Sequence, residues 1–307
     1  MIKKIIKVLI GKSSYVFLKI FKINKNLDIF LFHEVSDEPS NFQKKYNIFH
    51  NKKEFEKIIN WINENYNIIS PLQIDLAKKK QAIISFDDGY HGSFCNALPV
   101  LLDKNLPSIH FLNMKPIITN KPNIVSTLDF LNSHSVEFRS FLKDNKIYKN
   151  PIYEFNPELF EKFSKMHSIN YEKINLYQGK IVNLGILHEY SNSDLVFLGN
   201  HLFDHWNVIR LSNDQLKIQY FKNMDYLKEY KNFTNIFSFT HGVPNKNFSK
   251  KNVEQIMSFK PKYIYYSAGS SNNYNDIIFD RTFTTFEEIN NKIFYFRKFR
   301  NKFLSRF

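Results

Sequence analysis

The sequence predicts an α/β fold: a mostly parallel barrel of about seven strands that carries a long, partly helical insertion. Two observations lead there. Short β-branched and aromatic runs recur along the chain with helical-looking stretches between them, the pattern of a parallel α/β sheet rather than a sandwich. Seven such runs are spread through most of the 307 residues, a length that suits one barrel-sized domain with a sizeable core, although two ordinary domains also fit it.

In chain order the expected strands are Asp28–His33, Gln81–Phe86, Ser108–Leu112, Leu195–Leu198, Asn235–Phe239, Lys262–Tyr266 and Asp276–Phe279. A helix over Lys53–Asn65 follows from Phe55, Ile58, Ile59 and Ile62, apolar positions at helical spacing. A second, within Leu211–Tyr230, opens with Ser212 and has Gln215 three residues on, which predicts a capping box. Residues 114–194, rich in Asn, Lys and Phe, show no clear period and are expected to form the insertion. No repeat of fixed length is present.

Composition narrows the function. With 43% hydrophobic residues and only 8 Gly and 10 Pro, the chain is neither disordered nor collagen-like. Its single cysteine, Cys95, rules out an intrachain disulfide scaffold. The formal charge is +14, and twelve of those charges lie in residues 1–22 and 292–307, which contain no acid; the stretch between them has 31 basic and 29 acidic side chains. The folded body is therefore nearly neutral, and no nucleic-acid partner is expected.

Both ends interleave bases with bulky apolar groups, from Ile5 to Phe21 and from Ile293 to Phe307. Neither has the roughly 20 apolar residues of a bilayer span, and Lys7, Gly11 and Lys12 break up any signal-peptide core. They read either as basic amphipathic helices in peripheral contact with an anionic membrane or as packing helices with a solvated charged face. The expected organisation is a basic amphipathic segment over 1–22, one barrel domain over 23–291 and a basic aromatic segment over 292–307. The expected location is cytoplasmic, peripheral at the inner membrane face.

Two short constellations carry chemistry. Ser85-Phe86-Asp87-Asp88-Gly89-Tyr90 follows an apolar strand, and paired carboxylates at a strand's carboxyl end lie where α/β folds place their sites. Two adjacent ionised aspartates repel each other, so a cation would stabilise the pair. Gly199-Asn200-His201-Leu202-Phe203-Asp204-His205 also follows an apolar run; on one helical turn its two histidines would share a face and offer two imidazoles to one metal. Each is weak alone: Asp-Asp-Gly is a common loop sequence, and any chain with 10 His can produce such a pair. Together, two imidazoles and a carboxylate make an N,N,O set suited to zinc or a similar ion, leaving the second Asp free to act as a base.

These residues resemble the first two motifs of the polysaccharide deacetylases, the NodB-homology carbohydrate esterases. Ser85 to Gly89 matches Thr/Ser-Phe-Asp-Asp-Gly, and His201 to His205 matches His-x-x-x-His. Leu31-Phe32-His33-Glu34-Val35-Ser36 resembles the Tyr-His-x-Val stretch of the family's first strand, and the similarity extends over roughly residues 28–113 and 195–285. It implies a distorted (β/α) barrel, a divalent metal, zinc by preference, and removal of N-acetyl groups from amino sugars of a surface glycan or its precursor. By position, Asp87 would be the general base, and Asp88, His201 and His205 the metal ligands.

The resemblance weakens further along the chain. Where the third motif supplies an arginine to hold the base, this chain reads Phe237-Ser238-Phe239-Thr240-His241-Gly242. His241 would then offer its backbone N–H to the oxyanion and its imidazole as the proton donor. Where the fifth motif, Leu-x-His, supplies the general acid, the matching stretch reads Phe279-Asp280-Arg281, and a guanidinium is a poor acid. His33, Gly242 and Arg281 are expected to contact the substrate, an N-acetylated glycan or lipid-linked sugar. His110 is expected to be an interior histidine. The alternative function is a non-catalytic glycan-binding protein on a degenerate deacetylase barrel.

Overall fold

The structure, a computed structural model, describes residues 8–14, 27–74, 80–269 and 277–296. Its centre is a closed barrel of seven parallel strands: β1 (Asp28–Phe32), β5 (Gln81–Asp87), β6 (Ser108–Leu112), β7 (Val196–Asn200), β8 (Phe233–Ser238), β9 (Tyr263–Tyr266) and β10 (Ile278–Phe283). β1 closes it, pairing with β10 on one side and β5 on the other. Short strands β2 (Glu34–Val35) and β3 (Phe49–His50) pair with each other, and β4 (Asn67–Ile68) pairs with the start of β5.

All seven expected strands are present, and one is notably longer than expected. β10 runs on through Asp280, Arg281 and Thr282, all buried: Arg281 finds partners inside the barrel, while Asp280 accepts from Ala268 N and Gly269 N. Residue 276, where that strand was expected to start, lies outside the described residues. The helix Lys52–Asn65 buries the four expected apolar positions, and the capping box at Ser212 and Gln215 forms with both of its hydrogen bonds.

Period-two alternation sorts the strand residues into two populations. Ile29, Ile83, Ile109, Phe111, Ile236, Tyr265 and Phe279 pack into one cluster inside the barrel. The neighbouring Phe30, Phe32, Ile84 and Phe86 join the outer layer, where they pack with Phe55, Ile58, Ile59 and Ile62 of the helix Lys52–Asn65. Two residues beyond the inner apolar positions come Leu31, Ser85, Ser238 and Arg281, and four beyond Ile83 comes Asp87. The barrel interior thus changes from apolar to ionic toward the carboxyl ends of the strands. Gly199 sits in register with Phe111, and a Cβ on it would lie 2.5 Å from the Phe111 ring, so the inner ring needs a glycine there.

The insertion is helical over most of its length, with Met114–Thr119, Ile124–His134, Val136–Asp144, Pro151–Glu154, Pro157–Met166, Tyr171–Gln178 and Leu184–Glu189. Asparagine side chains cap five of these helices, at Asn123, Asn150, Asn156, Asn170 and Asn183, which accounts for the asparagine richness that hides the period. The aromatic rings of Phe138, Phe141, Phe155 and Phe163 pack on one another, each burial contributing roughly 1.5–3 kcal/mol.

The insertion is stitched to both motif loops. Val182 N donates to Gly89 O at 2.9 Å and His91 N to Lys180 O at 3.0 Å. Asp204 accepts from Ile124 N at 3.0 Å and pairs with Lys115.

Most of the two basic ends, and the expected boundary between residues 22 and 23, lies outside the described residues. Residues 8–14 are helical, and Gly11 lies against the Lys292 carbonyl, which a Cβ would approach to 2.6 Å. The two ends therefore meet. Among the described residues no helix is long and apolar enough to cross a membrane.

Candidate metal centre

Asp87 ends β5 and Asp88 begins the loop after it. Asp88 and Gly89 both adopt φ of +70°, left-handed backbone that glycine takes freely and that aspartate tolerates better than most residues. This turn separates the two carboxylates. Asp88 faces His201 and His205, and Asp87 faces Arg281.

The two histidines do not share a helical turn, as their spacing suggested. Residues 201–207 form a loop with Leu202 at φ of +63°. Side chains satisfy its backbone in place of a helix: Asn200 Oδ1 accepts from Leu202 N at 2.9 Å, Asn113 Nδ2 donates to His201 O and to Leu202 O, and Gln219 Oε1 accepts from Asp204 N at 2.8 Å. The imidazoles still converge, with ring centroids 4.9 Å apart.

Asp88 Oδ1 lies 3.0 Å from His205 Nε2 and 3.5 Å from His201 Nε2, and one ligand atom from each of the three buried residues lies within 4.8 Å of the others. His201 Nδ1 is 2.9 Å from Ser238 O. A carbonyl only accepts, so Nδ1 carries the proton and the Nε2 lone pair points into the site, the tautomer a metal ligand needs. The donor set therefore fits a divalent ion. Burial would raise the Asp88 carboxyl, but His205 and His201 outweigh it and hold it well below the ordinary carboxylate range.

Arg281 was expected to touch substrate, and it does not line the cleft. It is fully buried behind Asp87, with Nη1 2.6 Å from Oδ1 and Nη2 2.7 Å from Oδ2, a bidentate pair. Its guanidinium also donates to Ser238 Oγ at 2.7 Å, Ser267 Oγ at 3.2 Å and Tyr266 O at 3.4 Å, and lies over the face of Phe111. The guanidinium on Asp87 thus comes from β10 and not from residues 237–242. β1 alone separates β10 from β5, and a long guanidinium side chain inside the barrel spans that gap. Burial alone would raise the Asp87 carboxyl; Arg281 and His201 overcome it and keep Asp87 below its ordinary value.

A cleft of about 220 Å³ opens over this centre. It brings together Asp87, Asp88, His201, His205, His33, His241 and Gly242, every expected site residue except Arg281. His241 has φ of +61° and its ring packs edge-on to His205 at 4.9 Å; among the described residues its backbone N–H has no acceptor. His110 is shut away between Phe86 and Phe94, and burial pushes it down to about 3.

His33 lines the cleft as expected, but its match to the fifth-motif spacing and one wall of the cleft escaped the sequence reading. Leu31-Phe32-His33 has the Leu-x-His spacing assigned above to Phe279-Asp280-Arg281. It stands at the carboxyl end of β1, directly beside β5, so His33 reaches the cleft near Asp87 and Asp88. The spacing was available in the sequence; what hid it was its position at the opposite end of the chain. Phe42, Tyr46, Asn123, Val125, Ile152 and Tyr153 also line the cleft, and no local pattern marked them.

The fold is one shared with solved structures of polysaccharide deacetylases. The chain is similar to IcaB from Ammonifex degensii, at 12% identity and TM-score 0.58 over 89% of this chain and 97% of that one. It is similar to the de-N-acetylase from Aggregatibacter actinomycetemcomitans, at 15% identity and TM-score 0.58 over 87% and 99%. A polysaccharide deacetylase from Bacillus cereus aligns at 12% identity and TM-score 0.56 over 87% and 69%. No family model and no curated protein matches the chain.

Proposed function

We propose that this protein is a metal-dependent hydrolase that removes N-acetyl groups from amino sugars of a surface glycan or its biosynthetic precursor. The observation that carries the reading is the division of labour between adjacent carboxylates: Asp88 completes a ligand set with His201 and His205, while Arg281 holds Asp87 ionised beside it. Zinc suits two imidazoles and one carboxylate. A divalent ion bound there supplies Lewis acidity toward a carbonyl oxygen and acidifies water.

The chain's own residues do the rest. Asp87, ionised at neutral pH, accepts the proton of the attacking water. The free His241 N–H donates to the oxygen that gains charge as the carbonyl becomes tetrahedral. The amine departs only when protonated; we assign that proton to His33, at the strand end beside β5, in place of the expected His241 imidazole, which burial and the neighbouring His205 hold well below the ordinary histidine value while His33 is lowered less. The carbonyl carbon gains an oxygen and loses nitrogen, so the products are acetate and a free amino sugar.

The test is acetate release from N-acetylated oligosaccharides, abolished by a chelator and restored by zinc. Glycan binding without acetate release, with or without the metal, would instead support the non-catalytic alternative.

A further inference from the structure

The wall of the cleft formed by Phe42, Tyr46, Ile48, Val125, Ile152 and Tyr153 comes from no barrel strand. Tyr46 is held there by unusual means. Its hydroxyl donates to Asp129 Oδ1 at 2.7 Å. Asp129, on the insertion helix Ile124–His134, also accepts from Lys45 Nζ through both oxygens at 2.8 Å and from the Tyr177 hydroxyl. This carboxylate is 1% exposed. A buried charge with every partner supplied adds little net stability over well-packed apolar side chains. What it does provide is orientation. The far end of the Tyr46 ring is pinned, and Phe42 packs on it at 4.8 Å between centroids. Phe42 is itself buried, whereas Tyr46 remains partly open to the cleft.

We propose that Tyr46 is the platform on which the substrate's sugar ring rests, and that Asp129 is the positioning residue that keeps the platform in place. This rests on the glycan reading above. A pyranose presents a face of C–H bonds that packs on the negative face of an aromatic ring, while an acyclic acetamide has no such face. A ring already fixed before binding loses little freedom when the sugar arrives, which favours affinity.

The test uses the full chain and a panel of N-acetylhexosamine tetramers of different linkage, with binding measured by calorimetry and acetate release measured separately. Tyr46→Ala is expected to raise Kd and KM about tenfold with kcat held, the size of a lost ring contact. Tyr46→Phe and Asp129→Asn, which keep the ring and loosen its anchor, are expected to raise them about threefold each, and no further when combined. If Tyr46→Ala does not fold, these two variants decide the matter. Acetate release by the parent with KM unchanged in the variants overturns the platform. Tetramers bound but never deacetylated, with binding weakened by the variants, support the platform and overturn the hydrolase reading. A parent that binds and cleaves none of the tetramers overturns both.

Discussion

On the barrel side of the cleft the lining is ionic and held from within: Asp87 by Arg281, His201 by Ser238, and Asp88 by the two imidazoles. The opposite wall, built by residues 42–48 and the insertion, is aromatic and aliphatic, and the insertion's buried acid, Asp129, serves the Tyr46 ring rather than a reacting group. The barrel's parallel strands deliver side chains to one rim at fixed register, a geometry suited to placing charges to within fractions of an ångström. Short capped helices supply surface area instead. The difference assigns chemistry to the barrel and recognition to the opposite wall, which residues 42–48 and the insertion build together. Hydrogen bonds from Val182 to Gly89 and from Ile124 to Asp204 tie both motif loops to the insertion.

Arg281→Met presses hardest on this division. It leaves the Asp87 carboxylate buried without its cation, and the expected loss is ~3–5 kcal/mol of stability, read by urea unfolding, together with a lower kcat. Unchanged stability would mean that water or another base replaces the guanidinium, and the rim would not be the rigid frame described here.

The two cleft histidines separate side-chain from backbone chemistry. His33→Ala is expected to lower kcat by ~10²–10⁴, the usual worth of a positioned proton donor. His241→Ala retains its amide and is expected to lose less than about tenfold. The reverse order in steady-state kinetics would move the proton donor to His241.

A smaller effect comes from the junction between the two sides. Glu34 accepts from Val35 N at 2.8 Å and from Gln43 Nε2 at 3.2 Å, and burial pushes it from 4.5 up to about 7. The folded protein holds this proton over a range in which the unfolded chain has released it. The Glu34 contribution to stability is therefore full below pH 4.5 and falls as pH rises through 7, by up to ~3 kcal/mol. Glu34→Gln is expected to flatten that part of the stability profile. A parent whose stability does not fall over this range would show Glu34 already ionised in the fold.

The same contrast explains what the sequence disclosed. Seven β-branched runs, the Asp87-Asp88-Gly89 turn and the His201 and His205 pair are local patterns, and each marks the barrel side. Arg281 was visible as a residue but not as the partner of Asp87, because barrel closure brings β10 within one strand of β5 and nothing local encodes that closure. His33 carries the Leu-x-His spacing at the other end of the chain from its expected place. The helical reading of His201 to His205 failed because side-chain hydrogen bonds from Asn113, Asn200 and Gln219 replace the backbone ladder. Tyr46 and Asp129 are 83 residues apart in sequence, so their pairing belongs to the tertiary structure alone.

The central claim, that adjacent aspartates divide metal binding from proton transfer, is tested most directly by Asp87→Asn, scored for bound zinc and for acetate release from an N-acetylated oligosaccharide. The account predicts zinc retained at one equivalent and acetate release reduced by ~10²–10⁴. Retained zinc with acetate release equal to the parent's would contradict it.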